Sequence, residues 1–387
     1  MAAVCGPFDM PTRRELEKAV VLLNQRYPHC RIAWGWDEAR RRWTIPRSSV
    51  AIPAIVVDGD HGSLDDLGQT LDNIAGDRSL PSPLALVRGE NYLGLRMSHA
   101  VGDGRTFNQV LAAVLHTAFS GEAYPWQLGP THRFPLTQTI LKTFGSEPRL
   151  LRAILADRPS RVALSPGKQT AWVPARRTLA VTITAEDKAT ILASTPGASW
   201  QSLLISILLP ALNAEGIAVA PDISVIVDVR RYLSSQSLDG NFVTGVPFNI
   251  DHRDGPHAIA ATLKATLTSG RPVATQAAAT MHSGRSDAGR PTTTETALPV
   301  RVTFSAMGPP PEYASLPFLT GGPQVYAGGV EPDGPHGLTF LVLETTRNCM
   351  VTASFHQNVV SADAVRAALG ALTCRRDGRL SHDAVKP

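Results

Sequence analysis

Apolar and polar positions alternate along this chain in two distinct periods, and the switches between them predict the elements. Leu16, Ala19, Val20 and Leu23 recur at helical spacing behind Thr12-Arg-Arg-Glu15, which fits a capping box, and Pro28 ends that helix. Short strand-like runs follow at residues 31–36, 42–45 and 52–57, then a helix over 63–75 with Ser63 as its cap ahead of Asp66. Two apolar runs, 83–87 and 92–97, are joined by Arg88-Gly-Glu-Asn91 and read as a hairpin. In the second run Leu93, Leu95 and Met97 alternate with Tyr92, Gly94 and Arg96, so counting in twos puts His99 on the Leu93 face and Ser98 on the other. After Gly102-Asp-Gly104 a helix carries Phe107, Val110, Leu111, Val114, Leu115 and Ala118 on one face.

Residues 121–174 are rich in Pro, Arg and Thr, with one helix expected near 138–155, and read as the crossing between two lobes. The second lobe opens with a strand over 177–183 and helices over 185–193 and 200–215. Strands at 223–229, where Ile223, Val225, Val227 and Val229 alternate, and at 244–250 precede a helix at 256–267. Residues 269–299 hold Thr, Ala, Gly and Ser with almost no large apolar residue, and predict a mobile loop or a weakly ordered helix. Four strand-like runs (300–306, 324–327, 338–344, 350–355) and a helix opened by Ser361 close the chain. The expected division is a first lobe over 1–160 and a second over 161–387. No internal repeat is visible.

Composition narrows the class. The 387 residues are 43% hydrophobic and 18% charged, enough for sizeable cores and too little charge for a disordered chain. The net charge of +4 would suit an anionic ligand or acidic partner but is no nucleic-acid signature. Only six of the 37 basic residues are Lys, which reads as genomic bias before function. Cys5, Cys30, Cys349 and Cys374 are scattered without a CxxC, so neither a zinc site nor a disulfide framework is indicated. The apolar stretch 202–220 is interrupted by Pro210, Asn213 and Glu215, so no membrane span is expected, and the start lacks a signal peptide's apolar stretch. The expectation is a soluble cytoplasmic α/β protein, a monomer.

The most informative stretch is Met97-Ser-His-Ala-Val-Gly-Asp-Gly-Arg105. It sets a His at a strand end and an Asp four residues later in a glycine turn that opens a helix, where Asp103 can serve as N-cap. The pattern resembles the HHxxxDG signature of the thioester-dependent acyltransferases, the superfamily of chloramphenicol acetyltransferase, peptide-synthetase condensation domains and polyketide-associated acyltransferases. Three more stretches resemble it in the same order. They are Gly6-Pro-Phe-Asp with Arg26-Tyr-Pro-His-Cys-Arg31, then Asp228-Val-Arg-Arg-Tyr-Leu233 with Gly240-Asn-Phe-Val243 and Val246-Pro-Phe248, and last Val302-Thr-Phe-Ser-Ala-Met-Gly308.

The resemblance implies two similar lobes, each a mixed sheet flanked by helices, set as a V about a central tunnel that admits a thioester from one face and a nucleophile from the other. It implies that His99 is the general base and that Asp103 makes a buried ion pair with an Arg of the second lobe, for which Arg230 and Arg231 are the candidates. Gly104 would serve backbone geometry. Ser305 could offer a hydroxyl to the oxyanion, the alternative being an ordinary strand serine. The sequence departs from the pattern at Ser98, where the family carries a supportive first His, and it lacks the DFGWG element of the plant-type branch.

The implied activity is transfer of an acyl group from coenzyme A or a phosphopantetheine arm to a hydroxyl or amine of a small molecule, in secondary metabolism, with no permanently bound cofactor. An acyl or peptidyl carrier protein is the implied partner. A stand-alone condensation-like or cyclising enzyme and a catalytically silent scaffold are the alternatives. There is no P-loop, nucleophile elbow or dinucleotide fingerprint, and no metal site is expected. Arg40-Arg-Arg42 reads as a solvated turn that could also meet coenzyme A phosphates or an acidic carrier protein. His252, His257, His336 and His356 fall in apparent loops or at strand ends, as solvated or hydrogen-bonded groups.

Overall fold

The computed structural model describes the chain except residues 29, 38–39, 41, 45–54, 127–133, 157–167, 234–237, 239, 284–290, 296–297 and 374–387. Strand β1 (Ala2–Gly6) is buried at all five positions. Helix α1 (Arg13–Arg26) opens with the expected capping box: Thr12 Oγ1 accepts from the Glu15 N–H at 3.3 Å, and the Thr12 N–H donates to the Glu15 carboxylate at 2.7 Å. The run at 31–36 is not one strand, because Arg31–Ala33 turns as a 3₁₀ helix before β2 (Gly35–Asp37) pairs with β3 (Arg42–Thr44). Of the run at 52–57, the first three residues lie outside the described residues, and β4 (Val56–Asp58) follows.

Helix α2 (Leu67–Gly76) is capped by Asp66, whose carboxylate accepts from the Gln69 N–H at 3.2 Å. Ser63 is not the cap. Its hydroxyl accepts from the Asp65 N–H, too early in the chain to reach the helix's free N–H groups. Strands β5 (Leu84–Arg88) and β6 (Leu93–Met97) form the expected hairpin, registered from Leu84 opposite Met97 to Arg88 opposite Leu93. Helix α3 (Gly104–Ser120) follows and packs against α1.

The helix expected near 138–155 is two helices, α4 (Pro135–Ile140) and α5 (Pro148–Ala156), with a wide turn over 141–145 between them. Pro148 lacks an N–H and its ring blocks a preceding turn, so a helix can start there but not run through. The second lobe then supplies β7 (Gln169–Ala171), β8 (Arg176–Thr184), α6 (Ala185–Ala193), α7 (Trp200–Ala214), β9 (Asp222–Asp228), β10 (Val243–Asn249) and α8 (Pro256–Thr268). The polar stretch at 269–299 contains α9 (Arg271–Ser283), the helical one of the two expected alternatives. Its Val273 is buried with Phe144, Val229, Leu233 and Phe242, so distant residues supply the apolar surface that the local composition lacks. Strand β11 (Thr293–Glu295) pairs with β7. Strands β12 (Arg301–Met307), β13 (Val325–Gly329), β14 (Gly337–Glu344) and β15 (Asn348–His356) precede α10 (Ala362–Gly370), capped by Ser361 as expected.

Two mixed sheets organise the molecule. The first runs β13-β1-β6-β5-β4 and the second β10-β9-β12-β14-β15-β8. A division near residue 160 separates the sheets except at β13, which comes from the second half of the chain and pairs with the whole of β1 in the first sheet. The lobes also meet where α2 lies on β8. There Arg176 and Asp72 form an ion pair at 2.9 Å, and Asp72 accepts from the Thr178 N–H at 2.7 Å and the Thr178 hydroxyl at 2.8 Å.

Candidate active site

The hairpin and α3 carry the motif to the seam between the lobes. Strand β6 ends at Met97, and residues 98–101 turn. The Ser98 N–H donates to the Pro83 carbonyl at 2.9 Å, the Ser98 carbonyl accepts from the Val101 N–H at 3.0 Å, and the Ser98 hydroxyl accepts from the Ala100 N–H at 3.2 Å. Ser98 thus shapes the turn that presents His99. The count in twos does not extend to His99, because the pleat stops two residues earlier. Its ring leaves the core face of β6 and borders a cavity between the lobes.

That cavity holds about 520 Å³. His99, Gly104 and Phe107 line it from the first lobe, and β9, β10, β12 and β14 from the second; Tyr326 and Gly328 of the exchanged strand β13 complete it. Ser305 faces it on β12. The imidazole is exposed to this space, yet the protein around it makes charge costly. Its pKa is lowered from 6.5, first by burial, then by the Met1 amino group, with Asp103 pulling the other way. The neutral form of the imidazole is therefore favoured over its protonated form more than in a free histidine. Among the described residues no protein group hydrogen-bonds its ring, so both nitrogens remain available to a ligand.

Asp103 is fully buried and accepts from four donors. One carboxylate oxygen caps α3, accepting from the Arg105 N–H at 3.1 Å and the Thr106 N–H at 3.4 Å. The other meets the Phe242 N–H at 2.9 Å and Arg230 Nη2 at 2.8 Å, both from the second lobe. Cap and ion pair are thus one residue. Arg230 in turn donates to Asp228 at 3.0 Å and to the Gly240 and Leu238 carbonyls at 2.6 and 2.9 Å. Arg231, the other candidate, is exposed, and its guanidinium lies 6.0 Å from the Tyr232 ring centre. Successive residues of the 3₁₀ turn at 229–232 point in different directions, so of the two arginines only Arg230 reaches Asp103.

Gly104 has no left-handed backbone angle. A Cβ there would press on the Met307 thioether at 2.6 Å, so its use is close packing of α3 on β12, not conformational freedom. Arg40 pairs with Asp37 at 2.8 Å on an exposed turn away from the cavity. His356 is fully buried, with Nδ1 accepting from the Ala175 N–H at 3.2 Å, and His336 meets Thr294 and the Glu295 carbonyl; neither lines the cavity.

Arg31 is a residue whose position in the motif was visible but whose task was not. Its guanidinium donates to the Ala100 and Val101 carbonyls at 3.4 and 3.3 Å, bracing the turn that holds His99, and it stacks near Trp34 and Trp43. The signal was the closing Arg of Arg26-Tyr-Pro-His-Cys-Arg31. Asp228 was likewise in a quoted motif, yet its sharing of Arg230 needed the turn's geometry. The Phe242 N–H and Tyr326 left no sequence signal, since one is backbone and the other reaches the site by strand exchange. Among the described residues no group of three His, Cys, Asp or Glu side chains is placed to hold a metal, and no helix is long and apolar enough to cross a membrane.

By sequence, no family model and no curated protein matches the chain. By structure, the first condensation domain of the calcium-dependent antibiotic synthetase, in complex with a substrate analogue, matches with a TM-score of 0.59 at 18% identity, over 96% of this chain and 89% of that one. The epimerization domain from the third module of tyrocidine synthetase B matches at 0.54 and 12% identity, over 96% and 90%. A condensation domain that mediates chain release from the enacyloxin polyketide synthase matches at 0.51 and 15% identity, over 100% and 79%. The chain has the two-lobed fold of condensation domains, the fold class that the motif resemblance implies.

Proposed function

We propose that the protein transfers an acyl group from a thioester to a hydroxyl or amine, with His99 as general base. The observation that carries this reading is the placement of a neutral, unbonded imidazole on an inter-lobe cavity, at the turn that the Asp103–Arg230 pair anchors. A cavity-facing imidazole nitrogen takes the proton of the attacking O–H or N–H as the new bond to the thioester carbonyl forms. The resulting tetrahedral oxyanion receives a hydrogen bond from Ser305, which faces the same space. Collapse breaks the C–S bond, and the imidazolium returns its proton to the leaving thiolate, so the products are an ester or amide and a free thiol. Acyl-coenzyme A or an acyl group on a carrier protein's phosphopantetheine arm supplies the thioester, and a small molecule is the acceptor.

The fold supports the reading by analogy alone, since relatives of the same architecture condense, epimerise or release chains. The test is release of free thiol from a panel of acyl thioesters with added alcohols and amines. His99→Ala should lower turnover by about 10²–10⁴ in a folded protein. Undiminished release by that variant would remove His99 from the mechanism. No release by the wild type with any pair would remove acyl transfer.

A further inference from the structure

The cavity face of the second sheet is ordered in rows. Strand β12 runs parallel to both β9 and β14, with Thr303 opposite Ser224 on one side and Thr339 on the other. Alternation brings Ser224, Ile226 and Asp228 to the cavity from β9 and Thr303, Ser305 and Met307 from β12. The residues between them, such as Val225 and Phe304, are buried on the opposite, helix-covered side. Thr339, Leu341 and Leu343 continue the rows on β14. The wall therefore steps from three hydroxyls, through Ile226, Ser305 and Leu341, to Asp228, Met307 and Leu343. Four residues along the strands separate Thr303 from Met307, about 13 Å. Met307 is the residue against which Gly104 packs, so the hydroxyl row lies well away from the start of α3.

Among the described residues none of the three hydroxyls has a hydrogen-bond partner, although Thr339 is only 8% exposed. Their bonding capacity is directed at whatever fills the cavity. Carboxylates mark the same end. Asp333 lies 3.6 Å from Arg301, one step beyond Thr303 on β12, and the exposed Glu331 also borders the cavity without an ion pair among the described residues.

We infer that Ser224, Thr303 and Thr339 form a recognition site for a non-anionic, hydroxyl- or amine-bearing end of the substrate, whose apolar body lies along Ile226 and Leu341. Calling the occupant a substrate rests on the acyl-transfer reading; the binding does not. A hydroxyl or amine donates to the row's oxygens and is compatible with Glu331, whereas a carboxylate meets the like charge of Glu331 and loses its water; the charge of Asp333 is offset by Arg301.

The test is calorimetric titration of the whole protein, without acyl donor, using 1,8-octanediol, 8-amino-1-octanol and octanoate, which has no hydroxyl, as probes. The first two should bind at least tenfold more tightly than the third. Thr303→Val and Thr339→Val keep the shape and remove one hydroxyl each. Each should weaken the diol at least fivefold and change octanoate less than twofold. The half-buried Thr303 provides the reading if the Thr339 variant does not fold. Equal affinities, no saturable binding by the wild type, or unchanged diol binding in a folded valine variant would overturn the site. Selective binding with no thiol release from any donor supports the recognition site and counts against acyl transfer, so the two claims fail separately.

Discussion

Arg230 and Asp103 are buried together with their hydrogen-bonding capacity nearly filled, by Asp228 and two carbonyls on one side and three backbone N–H groups on the other. Such a pair adds little against an apolar replacement, but removing one member leaves a buried charge and orphaned donors. Asp103→Ala should therefore cost about 3–5 kcal/mol, read as a lower urea midpoint, and a variant that unfolds like wild type would contradict the pairing. The sign of the His99 shift sets a second expectation. A pKa lowered from 6.5 keeps the imidazole unprotonated into mildly acid solution, so the acid limb of kcat/KM against pH should fall below 6.5. Asp103 raises that pKa, so Asp103→Asn should move the limb further toward acid if the protein folds. A limb above 6.5 in the wild type would mean that another group is being titrated. The sequence marked His99 and Asp103 through spacing and capping chemistry. It left Arg230 and Arg231 equivalent, because two adjacent arginines differ only in the direction their turn gives them.

Elements whose signals are local were the legible ones. The Thr12 capping box, the hairpin at 84–97 and the alternation of β9 each depend on neighbours within a few residues, and each occurs where the pattern put it. Extrapolation failed where an element ended and left alternatives open where one borrowed its core. Strand β6 stops at Met97, so a face assigned to His99 by counting had no pleat behind it. Helix α9 exists because Phe144 and Phe242, from elsewhere in the chain, bury its Val273. Packing between α2 and β8 is tight enough to give a sharp test. A Cβ at Gly68 would run into the Thr178 carbonyl and main chain, which cannot yield as a flexible side chain can. Gly68→Ala should destabilise the protein by about 1–3 kcal/mol, seen as a lower melting temperature. Gly76 on the same helix has open space, and Gly76→Ala is the matched control.

At the scale of the whole molecule the lobes are interdependent. Strand β13 pairs with Ala2–Gly6 along its whole length, so residues 1–160 alone would leave β1 with an open edge and part of its buried surface bare. That half should aggregate or show no cooperative melting, checked by size exclusion and circular dichroism; a soluble, cooperatively folding half would show that the exchange is dispensable. The sequence by itself determined the mixed α/β class, most element positions and the motif that carries His99, because those follow from periodicity, capping and spacing within short windows. Tertiary structure alone decided the arginine that meets Asp103, the bracing by Arg31, the exchange of β13 and the hydroxyl row on the cavity wall. Each of these joins residues tens to hundreds of positions apart, and a contact of that kind is set by register and by the packing of one sheet against the other, which no local pattern encodes.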